Sequence, residues 1–117
     1  MVAQRDGHEE ELIPMPELTW PALRKAVAIV APSRLPELFE DMQTAFGAAS
    51  EQNSVNPIRF FFLHWGMVVE IERHPETARR FHAAEQAMAS YEDEVRDRAI
   101  REIGDIVRAA NRAVAGE

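Results

Sequence analysis

Histidine and carboxylate side chains are the residues of this chain that could do chemistry. His82 and Glu85 fall three positions apart on one face of a predicted helix, and Glu70, Glu72 and His74 lie close together along the chain. Helical bundles that bind two metal ions use Glu-x-x-His on two helices together with two further inward glutamates, and that order is absent here. The pattern therefore predicts no metal site and no cofactor, with His82 half-buried and His74 in a cap or loop.

Other catalytic patterns are also missing. The chain has no cysteine, and its five glycines are scattered, so neither a thiolate nucleophile nor a phosphate-cradling loop is predicted. His64, beside Trp65, would need an orienting partner and a pocket to act as a general base, so a core or interface histidine is favoured. The serines fall where caps and loops are expected, without a Gly-x-Ser-x-Gly elbow: Ser33, Ser50, Ser54 and Ser90. We therefore predict that the protein is not an enzyme.

Charge divides the chain into two parts. Its 117 residues carry a formal net charge of −7, and more than half of this lies in residues 1–17. With two prolines and little to bury, residues 1–17 are predicted to be a flexible acidic tail outside the fold, and residues 18–117 a single helical domain. The excess of acid disfavours direct nucleic-acid binding and favours a basic protein partner. The acidic residues of the tail are Asp6, Glu9, Glu10, Glu11 and Glu17.

Hydropathy predicts a cytosolic protein. The first residues lack the apolar stretch of a secretory leader, and no apolar run approaches the roughly 18 residues that cross a bilayer. The absence of cysteine fits a reducing compartment.

Proline, capping residues and apolar periodicity predict an all-α, compact bundle of about five helices. Thr19 can cap the first helix, Ser33 the second and Asn56, followed by Pro57, the third, while Ser90 resembles a capping box for the last. The predicted helices cover about residues 20–31, 34–49, 57–74, 75–89 and 91–114.

The central helix, over residues 58–72, has two apolar faces. The first contains Ile58, Phe61, Phe62, Trp65, Val68 and Val69, and the second contains Phe60, Leu63, Met67 and Ile71. Such a helix is typical of the centre of a bundle or the boundary between two chains. We therefore predict a homodimer whose interface includes Phe60, Met67, Ile71 and Trp65. A β-hairpin turning at Gly66 is the competing interpretation, which the Asn-Pro entry and the His-Pro exit disfavour.

Four segments between residues 19 and 112 carry a family resemblance: TWPALRKAV, PELFEDMQTAF, PIRFFFLHWGMVVEIERHPETARRFHAAEQA and EIGDIVRAANR. Together they resemble small, all-helical actinobacterial proteins that look like antitoxin partners of ParE/RelE-type toxins. The resemblance implies neutralisation by occlusion of a basic toxin surface. The expected contacts are the acidic Glu9, Glu10 and Glu11 and the apolar Ile103 and Val107. The sequence lacks a ribbon-helix-helix strand and a helix-turn-helix signature, so nucleic acid is expected only through a partner.

The sequence thus favours a non-enzymatic helical protein-interaction module, with the antitoxin of a type II toxin–antitoxin pair as its specific form. The alternative is a homodimeric structural or regulatory helical protein without a toxin partner. An enzyme would require a polar cavity that converges on His64, Glu70 or His82.

Overall fold

Five α-helices make up the fold. The computed structural model describes residues 10–116, and a 3-10 turn, Pro32–Arg34, joins the first two helices. This part of the chain has no strand, which confirms the all-α prediction, and the hairpin alternative is wrong because one helix runs through Gly66. Among the same residues, no helix has the length and apolar character to cross a membrane. The helices are α1 (Trp20–Val30), α2 (Leu35–Gln52), α3 (Asn56–Glu72), α4 (Pro75–Ala87) and α5 (Asp93–Val114).

Local signals place the helix ends. Each of α1 to α4 has proline in its first two positions, where the missing N–H has no intrahelical partner to lose. The Thr19 hydroxyl accepts a hydrogen bond from the Ala22 N–H at 3.4 Å, as predicted. Ser33 does not cap α2, because the 3-10 turn intervenes and Arg34 takes the cap position. Asn53 ends α2 with a left-handed φ of 52°, which asparagine tolerates well.

Helix α3 lies at the centre and packs against each of the other four helices. It contributes to two core clusters. The second core, between α3 and α5, has three buried residues, Ile71, Ile106 and Ala110, with Met67, Phe81 and Val107 packed around them. The first core is larger and joins α1, α2 and α3 through Leu23, Ala26, Val27, Ala31, Leu38, Phe61, Trp65, Val68 and Val69.

The chain itself covers the second apolar face of α3 at Met67 and Ile71 but leaves it exposed at Phe60 and Leu63. Ile71 is only 3% exposed and Trp65 is 0% exposed, so neither presents a surface to another copy, and their prediction as interface residues is corrected. Met67 is partly buried and contacts both cores. Helix α5 covers this end of the face, where its Ile106 packs with Ile71. Phe60 alone of the four predicted interface residues is largely open, at 64% exposure.

Part of the predicted acidic tail is attached to the bundle. We call residues 11–18 the N-terminal strap. The Leu12 N–H donates to the Arg73 carbonyl at 2.8 Å, and Arg73 Nη1 lies 3.2 Å from the Ile13 carbonyl oxygen and 3.0 Å from Glu11 Oε1. Ile13 and Met15 pack against the first core. The expectation that residues 1–17 lie outside the fold is therefore corrected for the strap, and residues 1–9 lie outside the described part.

Candidate interaction site

An apolar groove of about 310 Å³ lies between α2 and α3, on the side of the bundle where Phe60 is exposed. Phe60 belongs to the second apolar face of α3, but α5 ends at Val114, beside Gly66, six residues further along α3. The last turn of α5 therefore leaves Phe60 uncovered. Small α2 residues keep the groove open where larger ones would fill it. Its lining comprises Asp41, Thr44, Ala45, Ala48, Pro57, Phe60, Phe61, His64 and Trp65.

A second cleft, of about 170 Å³, continues along the same side of α3 towards α4. His64 lines both spaces, and we call the two together the α3 trough. From Pro57 to Glu72 the trough follows α3 for about 22 Å, at the helical rise of 1.5 Å per residue. The cleft is lined by Arg34, His64, Met67, Val68, Ile71, Glu72, Phe81 and Glu85.

Polar contacts fix the floor of the trough. The Trp65 indole N–H donates to Asp41 Oδ2 at 3.0 Å, which ties α3 to α2 and satisfies a polar group on a fully buried side chain. The Arg34 guanidinium carbon lies 4.9 Å from the centroid of the Trp65 ring, within the range of a cation–π contact. The His64 ring meets Trp65 edge-on, with centroids 5.7 Å apart. The floor is thus ordered before anything binds.

The charge of Arg34 is neutralised locally. Its Nε and Nη2 donate to the two carboxylate oxygens of Glu37 at 3.0 and 3.1 Å, a bidentate pair. The hydrogen bond from Arg34 lowers the pKa of Glu37 from its ordinary value of 4.5; partial burial opposes this shift, and the charge of Arg34 adds to it. The other acidic residues along the trough are Asp41, Glu72 and Glu85.

The residues first considered for metal chemistry contact neighbouring side chains of the same small set of histidines, carboxylates and Arg73. His82 Nε2 lies 2.8 Å from Glu72 Oε2, and His82 Nδ1 lies 3.3 Å from Glu85 Oε1. Glu70 instead contacts Arg73 Nε at 2.8 Å and His74 Nε2 at 3.3 Å. Among the described residues, no group of three or more histidine or carboxylate side chains is arranged to hold a metal ion.

The predicted partner contacts are dispersed over the molecule. Glu10 is exposed and Glu11 pairs with Arg73 in the strap, while Glu9 lies outside the described residues. Ile103 is half-buried on α5, and Val107 packs against the second core, so a charge at Val107 would disturb folding.

Sequence reasoning missed the α2 side of the trough. The small residues Thr44, Ala45 and Ala48 could have indicated it, because their spacing places them on one face of α2, where short side chains leave room for a groove.

A third open cleft, of about 610 Å³, lies between α4 and α5. Arg80, Arg98 and Arg101 stand among alanines there. Arg80 Nε pairs with Glu102 Oε2 at 2.8 Å, across the two helices, and Arg108 pairs with Asp105 at 2.6 Å within α5. Such pairs are typical of a solvent-exposed helix surface.

Comparison with known proteins returned no match: no family model, no curated protein and no solved structure matches this chain.

Proposed function

We propose that the protein is a non-enzymatic, cytosolic helical module that binds a protein partner along the α3 trough. The observation that carries this proposal is Phe60, which is 64% exposed at the edge of an apolar groove with an ordered aromatic floor. Exposed apolar side chains beside a concave apolar surface are typical of interaction sites, and a preorganised floor reduces the entropy lost on binding.

The polar side chains around the trough support binding over catalysis. Glu37 is engaged by Arg34, Asp41 by Trp65, and Glu72 by His82. These contacts orient the side chains towards one another along an open surface. A catalytic site would instead need polar groups that converge on a water-excluding pocket.

The resemblance to antitoxins supplies the most specific form of the proposal. The partner is then a basic toxin of the ParE/RelE type, and the module neutralises it by covering the surface that binds its target. Four acidic residues and no basic ones in α2 support an attraction to such a partner. Glu10, exposed near the strap, adds to the same charge.

Co-expression tests the proposal. The protein is produced together with the product of each adjacent gene, and complex formation and growth are measured for the unmodified chain, Phe60→Glu and Phe46→Glu. Phe46 is the matched control, since it is also on the surface, at 51% exposure, but does not line the trough. We expect a complex and growth rescue that only Phe60→Glu removes. Equal behaviour of both variants would contradict a role for the trough.

Self-association through Phe60 is the second candidate function, favoured by the exposure of Leu63, 42%, three residues further along α3. Light scattering would then show a dimer that Phe60→Glu converts to a folded monomer. A monomer at all accessible concentrations would remove this candidate. Met67→Glu is unsuitable for this test, because Met67 packs against both cores.

A further inference from the structure

We propose that the occupant of the α3 trough is a basic amphipathic α-helix of about four turns, contributed by the partner. This inference rests on the proposed function and adds the chemical class of the bound segment. It follows from the shape of the trough, its length and the charge along its walls.

The shape suits a helix. The trough lies along α3 beside α2 and meets α4 at its far end, and residues at helical spacing on α3 line it: Phe60, His64, Val68 and Ile71. A second helix lying along such a row presents its own apolar residues at i, i+3 or i+4, and i+7. The trough is about 22 Å long, which matches a helix of about 15 residues. The described residues have no strand and hence no sheet edge to which an extended peptide could add.

The charge specifies a basic occupant. Asp41 lines the groove, and Glu72 and Glu85 lie at the far end of the trough. Helix α2 has no basic residue, and its Glu40 and Glu51 add negative charge outside the lining. Arg34 adds little positive field, because Glu37 holds its guanidinium. Lysine or arginine on the flanks of a bound helix would therefore meet carboxylates, which favours its encounter and orientation.

A second copy of this chain is a poorer occupant. A two-fold symmetric dimer through the trough would place the acidic α2 of one protomer near the acidic α2 of its partner. Like charges brought together at an interface weaken association. The same argument disfavours an acidic partner helix.

Selection from a displayed library of random peptides, each of about 15 residues, tests the class of occupant without presupposing a sequence. The full-length protein is the bait, with Phe60→Glu for counter-selection and Phe46→Glu as a folded control that should retain binding. We expect Phe60-dependent sequences that share a helical apolar period and an excess of lysine and arginine. Enrichment of proline-rich or acidic sequences, or no Phe60-dependent binder, would overturn the inference.

Two substitutions of opposite charge at Thr44 test the role of charge directly. Thr44 is exposed on α2 and lines the groove, so glutamate or lysine fits there with a similar effect on the helix. For a selected basic peptide, Thr44→Glu should tighten binding about threefold and Thr44→Lys should weaken it about threefold, with both shifts reduced by salt. The opposite order, or no difference, would show that the charge of the wall does not select the occupant.

The two proposals fail separately. If no basic helix is selected but Phe60→Glu still disrupts the complex with an adjacent gene product, the trough binds a partner of another shape and this inference is wrong. If light scattering shows a dimer that Phe60→Glu abolishes, a second copy occupies the trough and the inference is also wrong. If Phe60→Glu changes the binding of neither the selected peptides nor the partner, both this inference and the proposed function are wrong.

Discussion

The two cores on either side of α3 differ in size and in the kind of side chain they bury. The first core holds all five of the largest fully buried side chains: Trp65, Leu23, Leu38, Val27 and Val69. The second core has three buried residues, one of them alanine. Since the free energy of burial follows the apolar area removed from water, helices α1 to α3 form the more stable part and the α4–α5 pair is held less strongly.

This difference bears on the α3 trough, which spans both parts. The groove of the trough is lined entirely by residues of α2 and α3, whereas its cleft is also lined by Phe81 and Glu85 of α4. Local opening tends to begin where few apolar contacts are buried. A partner should therefore meet a fixed groove at Phe60 and a more adaptable wall at α4.

Trp65→Ala should produce the largest loss of stability. Trp65 is fully buried in the first core, and its truncation leaves a cavity and deprives Asp41 of its hydrogen bond. We expect a loss of about 3–5 kcal/mol in the free energy of unfolding, measured by urea denaturation. Tyr91→Ala, at a fully exposed position, is the control and should change stability little. A loss below about 2 kcal/mol would mean that the first core tolerates the cavity.

Ile106→Ala should destabilise the second core selectively. Ile106 is 5% exposed in the second core, and its truncation should cost about 2–3 kcal/mol. Because the second core is small, hydrogen exchange should accelerate in α4 and α5 while amides of α1 to α3 remain protected. Uniform acceleration over all five helices would show that the two cores unfold as one unit.

A pair of glycine substitutions tests how closely the chain packs around α3. At Gly47 an added Cβ meets nothing within 4 Å, so Gly47→Ala should raise stability by about 0.5–1 kcal/mol through helix propensity. At Gly66 the Cβ would lie 3.0 Å from Leu18 of the strap and 3.4 Å from Val114 of α5. Gly66→Ala should therefore gain less than Gly47→Ala or lose stability, as measured by thermal unfolding. Equal gains would indicate that the strap moves aside freely.

The smallest effect should come from Glu37→Gln. The lowered pKa of Glu37 means that its pairing with Arg34 stabilises the fold above the unfolded pKa and that this stabilisation disappears as pH falls through the folded pKa. Because the pair is partly exposed, the difference at pH 7 should stay within about 0.2–1 kcal/mol. Urea denaturation from pH 7 to 3 should show the two proteins converging at the acidic end. A constant difference would assign the effect to packing.

Proline and the apolar period correctly predicted most of the secondary structure. Thr19 is the one predicted cap that is confirmed, because Arg34, Val55 and Glu92 occupy the cap positions where Ser33, Asn56 and Ser90 were predicted.

The apolar period did not locate the site. Phe60, Met67 and Ile71 look equivalent in the sequence, since all three lie on one face of α3. Their exposures differ because α5 reaches Ile71 but ends beside Gly66. Where a helix ends in space depends on its packing angle, which the apolar period does not specify.

The sequence by itself determined the five helices, the central place of α3 and its excess of apolar surface, because proline and the helical period act over a few neighbouring residues. Only the tertiary structure decided which part of that surface stays open. It also joined Asp41 to Trp65, 24 residues apart, and Arg73 to Ile13, 60 residues apart. Such contacts form only once packing has brought distant segments together, and no local pattern encodes their geometry.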